Sequence, residues 1–449
     1  MMLDAMSRQQ SPGRTRAPSP RRFAAAAAIA ACAIPLAATA EISDKGGLVE
    51  GGRLFTVTHL GNSGPGSLRT ALEQGGPRVI VFEVSGYIDL KTDLTIREGK
   101  VTIAGQTAPK PGVIIRGGSL AIRASDVVIE HVAVYPGSAQ DTAVAENRDG
   151  ISLYGSPSRR QWLRNVVLRH VSVGWGVDEN IGVQGLVDGL RLEHSLIAEP
   201  LRRGGHPKGI HSMNLLLGNT VRSVEILDNV FATGNQRNPR LTQGNIVSMQ
   251  NNFIYGYGVA ATHVDDSKDI IDTGAIDIVG NVYRPTADSR CGQPSIAIGT
   301  GFFARAPRTE VFLADNIEIG DARNCRKGTN ETDASQLAPR RTAPAPYRQA
   351  RPAATVYPGI LAHAGARPAE RNPIDARIIT AIADGSGRQI DDETAVGGWP
   401  ALTSGKRLLA LPVPSANRFD ADGVRRLARW LCDSSRSVAG AKQDCEKFD

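Results

Sequence analysis

The chain has 449 residues, 41% hydrophobic and 22% charged, with 52 Lys+Arg against 45 Asp+Glu for a net charge of +7. That apolar content excludes a wholly disordered chain, and the length can bury a large core. A basic surplus invites a nucleic-acid reading, so the place of the positive charge decides what it means.

The first forty residues carry much of it. Arg8, Arg14, Arg16, Arg21 and Arg22 precede an Ala-rich apolar run that ends in Ala38, Thr39 and Ala40. A basic start, an apolar middle and a small-x-small exit predict a secretory signal peptide over residues 1–40. Its removal takes away five Arg and one Asp, leaving 47 basic against 44 acidic residues, a balance of +3. No nucleic-acid partner is then expected. Nor does any later stretch reach the roughly 20 apolar residues of a membrane span. Cys291, Cys325, Cys432 and Cys445 remain, an even number that permits disulfides in an exported chain. Proximity favours Cys291–Cys325 and Cys432–Cys445, with the other pairings open.

A short amphipathic stretch at 67–73 is followed by β-rich runs from Val79 to Ile319. Runs such as Val79–Phe82 (VIVF), Leu94–Ile96 (LTI), 127–129 (VVI) and 166–168 (VVL) are separated by Gly, Asp, Asn or Ser. That is strand-and-turn punctuation. A motif recurs in which an apolar residue is followed three positions on by His or Asn. It falls at His131, His170, Asn229, Asn252, Asn281 and Asn316, with Ser195 fitting by a one-residue offset. Such a period signals stacked repeats. The regular Asn-Gly and Asp-Gly hairpins of a propeller are missing. The fold expected is an all-β, right-handed parallel β-helix, a solenoid whose repeated Asn form a ladder between coils. Its long loops are expected at 137–164, 198–221 and 259–275. Beyond residue 320 the chain turns Pro- and Ala-rich, then helical near 375–383 and 421–432. Residues 41–320 thus read as the β-helix, and residues 321–449 as a partly helical extension that wraps or caps it.

The loops carry the chemistry. Asp149, Asp178 and Glu179 converge if their strands lie on successive coils, and clustered carboxylates call for a hard cation such as Ca²⁺. Lys208, flanked by His206 and His211, and the pair Arg237 and Arg240 lie about one coil further along each. Opposite an acid-and-metal site, such cations suit a polyanionic substrate. No zinc spacing, phosphate loop, nucleophile elbow or dinucleotide fingerprint is present.

Several segments resemble secreted bacterial pectate lyases of the parallel β-helix type, polysaccharide lyase family 1-like. They are SGPGSLRTA at 63–71, VTIAGQTAP at 101–109, RHVSVGWGVDEN at 169–180, QRNPR at 236–240, NNFIYGYG at 251–258 and GGWP at 397–400. The resemblance implies Ca²⁺-assisted β-elimination in homogalacturonan (polygalacturonate), giving 4,5-unsaturated oligogalacturonides. It places the base on Arg237 and calcium ligands on Asp149 and Asp178, with Glu179 adjoining. Lys208 matches the substrate-binding lysine, Arg240 a second arginine at shifted spacing, and His206 and His211 complete the expected substrate-binding group. An arginine base implies activity rising above neutral pH, since Arg is otherwise protonated. The family's usual Asp-His is here Arg169-His170, and an expected acid falls at Gly174, with Glu179 or Glu199 as substitutes. The chain is expected to work as a monomer, secreted or periplasmic. A non-catalytic β-helix that binds acidic polysaccharide, and a lyase for another uronate polymer, remain open.

Overall fold

A computed structural model describes residues 42–218, 220–266, 273–290, 294–320, 334–414, 418–440 and 445. The expected signal peptide and the Cys291–Cys325 pairing lie outside the described residues. Three sheets, parallel apart from the edge strand Gly405–Lys406 of one of them, build the coils, and the chain visits them in turn. One coil, for example, passes through Val127–Glu130, Val132–Tyr135 and Ile151–Gly155, in the first, second and third sheets. The next passes through Leu163–Arg169, Ser172–Gly174 and Glu179–Gly185, each parallel to its predecessor. This is a parallel β-helix. Neighbouring coils stand about 4.8 Å apart, the spacing of hydrogen-bonded strands.

The core follows from that stacking. Inward positions such as Ile129, Leu168, Leu192, Ile226 and Met249 lie one above another, fully buried. β-branched and Leu side chains fit such columns because each packs on its own counterpart in the next coil.

The repeated His and Asn resolve into two adjacent columns rather than one. His131, His170 and His194 stack ring on ring at the bend after the first sheet, with centroids 4.8 and 5.1 Å apart. Each takes a positive φ of 49–58°, as do Asp228 and Asn251 further along. One residue later comes the ladder. Asn229 donates to Asn252, Asn252 to Asn281 and Asn281 to Asn316 at 2.9–3.0 Å, while Ser195 N–H donates to Asn229. Asn252 also donates to Ile226 O and accepts Asn229 N–H, both at 2.9 Å. Each buried amide is thereby satisfied. Losing one such partner in the core would cost roughly 1–3 kcal/mol.

The turns differ in length. First-to-second-sheet bends take one or two residues apart from 105–112, whereas the turns into the third sheet carry residues 136–150, 175–178 and 199–212. Long loops therefore gather beside the third sheet.

The outer face of the second sheet is apolar, with Ala133, Leu196, Val230 and Phe253 buried there. The helix Pro373–Asp384 covers it with Ile374, Ile378 and Ile382. Asn372 starts that helix by accepting two backbone N–H bonds, and Gly385 at φ 81° ends it. The C-terminal helix Ala421–Ala439 lays Leu427 and Leu431 on Leu54, Val79 and Val81 of the first sheet. A Cys432–Cys445 disulfide ties the second half of that helix to the chain beyond it, as proximity suggested.

Candidate active site

Asp149 and Glu179 occupy the same register on adjacent coils, each two residues before the paired Ile151 and Ile181. Thirty residues of sequence separation thus become one strand spacing. Asp149 Oδ1 accepts Glu179 N–H at 3.1 Å. Its other oxygen lies over Gly182, where a Cβ would come within 2.5 Å, so only glycine leaves room for the carboxylate. Burial first, and Asp178 second, hold the Asp149 carboxyl well above the usual carboxylate range.

Asp178 precedes Glu179 and offers a third carboxylate, all three with ligand atoms within 4.8 Å of one another. Glu179 is 1% exposed, yet neither of its carboxylate oxygens receives a hydrogen bond. Buried carboxylates are ordinarily satisfied by donors or a cation. The unmet oxygens, the gap left by Gly182 and an all-oxygen donor set fit a hard divalent ion such as calcium.

Arg237 follows Gln236, which bridges Met213, itself opposite Glu179. The guanidinium therefore reaches back across two coils, and its Nη1 forms an ion pair with Glu179 Oε1. Arg237 takes φ 59°, a left-handed backbone that a bulky residue keeps only when its surroundings enforce it. Burial foremost, then Arg240, lowers its pKa.

His206 and His211 both point Nε2 at Asp178 Oδ1, at 3.5 and 3.0 Å, with their rings stacked 3.5 Å apart. His206 Nδ1 accepts Lys208 N–H at 3.1 Å, so the neutral ring carries its proton on Nε2, towards Asp178. Burial and His211 lower the His206 pKa, which favours that neutral form. The sequence placed these imidazoles on substrate. Their side chains are only 1% and 9% exposed, and what they touch is Asp178.

Two predicted residues stand apart from this cluster. Lys208 is 70% exposed at the rim, with Nζ 3.6 Å from Glu146. Arg240 sits on the outer face of the third sheet and pairs with Asp265 at 3.0 Å, beside His263. Glu199, considered as a substitute ligand, is bound instead by Arg377 and by Trp175 Nε1. Gly174 has no space for an acid, since a Cβ would meet Tyr135 and Ala198 O at 2.6 Å. Arg169 lies on the first sheet and belongs to a different charge network, with Glu130, Glu193 and Asp44. Neither departure from the family pattern removes a side chain from the acid cluster.

Sequence reasoning missed Arg123, whose charge faces Asp149 and which donates to Ser152 O at 3.0 Å. Its outward register with Tyr154, on the neighbouring coil, was the available signal. It also missed Asp265 and His263.

The chain is similar in sequence to curated proteins. The chain is 28% identical over 239 residues to a protein of Aspergillus flavus named "Probable pectate lyase C", covering 53% of this chain and 51% of that one. A protein of the same name from Neosartorya fischeri is 24% identical over 385 residues, covering 83% and 81%. The chain spans about half the length of the first of these relatives. Among solved structures, jun a 1, the major allergen from cedar pollen, superposes with a TM-score of 0.50 at 17% identity, over 68% of this chain and 86% of that one. That likeness concerns the fold alone. No family model matches the chain.

Proposed function

We propose that the protein is a pectate lyase, a polysaccharide lyase that cleaves homogalacturonan by β-elimination. The observation that carries this reading is the contact of a part-buried arginine, Arg237, with a carboxylate cluster whose buried Glu179, beyond that ion pair, receives no hydrogen bond. The relatives named as pectate lyases support it. Asp149, Asp178 and Glu179 would hold the calcium ion. When bound, it would neutralise a uronate carboxylate of the substrate and so make the neighbouring C5 proton more acidic.

Arg237 accepts the C5 proton. The electron pair left on C5 forms the C4–C5 double bond, the C4–O4 bond breaks, and the leaving oxygen takes up a proton. Burial and the adjacent Arg240 favour the deprotonated guanidine that this step needs. His206 and His211 orient Asp178 rather than touch substrate. Lys208, exposed at the rim, has the reach to meet a substrate carboxylate, and Arg240 lies one coil beyond Leu216 on the same face. In this reading residues 1–40 are an export signal, 41–320 the catalytic β-helix and 321–449 an extension folded over it. The mature protein is a secreted or periplasmic monomer. No helix among the described residues is long and apolar enough to cross a membrane.

The test is incubation of the mature protein with polygalacturonate, with Ca²⁺ or with a chelator, followed by ultraviolet absorbance of unsaturated products. Ca²⁺-dependent absorbance is the expected result. No absorbance with Ca²⁺ at alkaline pH overturns the reading, and binding of polygalacturonate without cleavage would leave a polysaccharide-binding β-helix in its place.

A further inference from the structure

The acid pair Asp178–Glu179 leaves a short turn whose first residue is Trp175, and that turn is gripped from outside the coil stack. Trp175 is fully buried and takes φ 57°. Its backbone N–H donates to Glu199 O, and its indole Nε1 donates to Glu199 Oε2, both at 3.1 Å. Glu199 takes φ 51° in the equivalent bend of the next coil. Bulky residues in the left-handed region at equivalent bends of two successive coils store strain that the surroundings must hold.

The helix Pro373–Asp384 supplies the hold. Arg377 grips Glu199 with two parallel bonds of 2.6 and 2.7 Å. Both oxygens of Glu199 are thereby engaged, one of them twice. Two residues earlier, Asp375 accepts Tyr135 OH at 2.8 Å and Ser172 Oγ at 2.5 Å. The Tyr135 ring meets Trp175 edge-on at 5.3 Å and fills the space over Gly174. Trp399, from the same end of the chain, closes on Trp175 at 4.7 Å. Trp175 is thus fixed by hydrogen bonds through Glu199 and by rings on two sides, three residues before Asp178.

From this geometry we infer that Arg377 and Glu199 form a positioning pair that sets the Ca²⁺ affinity of the Asp149–Asp178–Glu179 cluster. Glu199 is not a ligand in this arrangement. It transmits the placement of the helix to the metal-holding turn. The inference rests on the calcium reading above. Groups that orient ligands from behind typically change metal affinity by about 10–100-fold when removed.

Calorimetric titration of Ca²⁺ into the mature chain tests it, with no need of turnover. Arg377→Gln is expected to weaken Ca²⁺ binding about 10–100-fold. Glu199→Gln, which keeps the size and shape of the side chain, should do the same. The double variant should lose no more than the worse single variant, because both act through one contact. Arg377→Lys should regain part of the loss by restoring the charge. Asn252→Ala, which loosens the coil ladder elsewhere, should lower Tm and leave Ca²⁺ affinity within about twofold, as expected of distant, independent sites. Unchanged affinity in Arg377→Gln and Glu199→Gln overturns the pair while leaving the calcium site standing. Additive losses in the double variant, with Glu199→Gln much the weaker binder, make Glu199 a ligand and overturn its positioning role. A wild-type protein that does not bind Ca²⁺ overturns the site and the pair together.

Discussion

The outer faces of the first and third sheets both carry clustered charge, and they treat it in opposite ways. On the first sheet, Arg169 meets Asp44, Glu130 and Glu193 at 2.5, 2.6 and 2.7 Å. Arg191 meets Asp44 and Glu225, each at 2.6 Å. Burial raises the pKa of Glu193, but Arg169 above all, with His194 and Arg348, pulls it down to about 2. On the third sheet, burial and Asp178 push Asp149 up, and Glu179, beyond its ion pair with Arg237, receives no hydrogen bond. Folding completes the first network and leaves the second short of positive charge. A finished network holds the chain together, whereas an unfinished one is set to bind something.

The largest expected effect tests the unfinished side. Arg237→Lys should lower lyase activity by about 10²–10⁴-fold, the usual span for losing a general base. Product absorbance on polygalacturonate measures it. Melting of the same variant should shift by no more than the few degrees that correspond to about 1 kcal/mol. A variant that melts far earlier would show Arg237 to be a structural partner of Glu179, and the contrast between the two faces would fail.

The finished side is tested by Arg169→Met. It leaves Glu193 and Glu130 without their main partner, and breaking a buried pair this way costs about 3–5 kcal/mol. Urea unfolding should show that loss as a lower midpoint. Ca²⁺ affinity should stay as in wild type, because Arg169 does not touch the acid cluster. A fall in Ca²⁺ affinity would mean that the two networks are coupled through the coils.

The fold was legible because a β-helix repeats its inward positions and its bends. The runs Val79–Phe82 and Leu94–Ile96 announced strands, and Asn229, Asn252 and Asn281 announced a ladder. The offset between the His and Asn columns was harder to see. His131 and Asn229 each follow an apolar residue by three, but Val128 lies at an outward and Ile226 at an inward register. Asp149, Asp178, Glu179 and Arg237 were legible because their loops follow strands on nearby coils. The burial of His206 and His211 against Asp178 was not, since it depends on how the 199–212 loop folds back. Nor were Asp375 and Arg377, whose partners Ser172, Tyr135 and Glu199 lie some 180–240 residues away.

The smallest effect concerns the histidine column, which lies at the bend between the first and second sheets under the C-terminal segments. His131 bonds Ala366 O at 2.6 Å and Ser435 Oγ at 2.7 Å, and His170 bonds Gly365 O at 3.3 Å. Arg169, Arg367 and Arg348 add positive charge nearby, and Glu193 and Asp228 negative charge beside His194. Burial, more than any neighbour, lowers the His131 pKa from 6.5 to about 3 and that of His170 well below 6.5. The unfolded chain therefore binds a proton near pH 6.5 that native His131 refuses until about pH 3. Across that window the unfolded state holds more protons, so stability falls as pH falls, by about 1.4 kcal/mol per pH unit for this one residue. Urea midpoints measured between pH 7 and 5 should decline accordingly, with a flatter slope in His131→Gln. An equal slope in that variant would take the acid sensitivity off His131 and place it on the other buried histidines of the column, His170 and His194. Carboxylates such as Glu193 titrate lower, so a decline that begins only below about pH 4.5 would assign it to them instead.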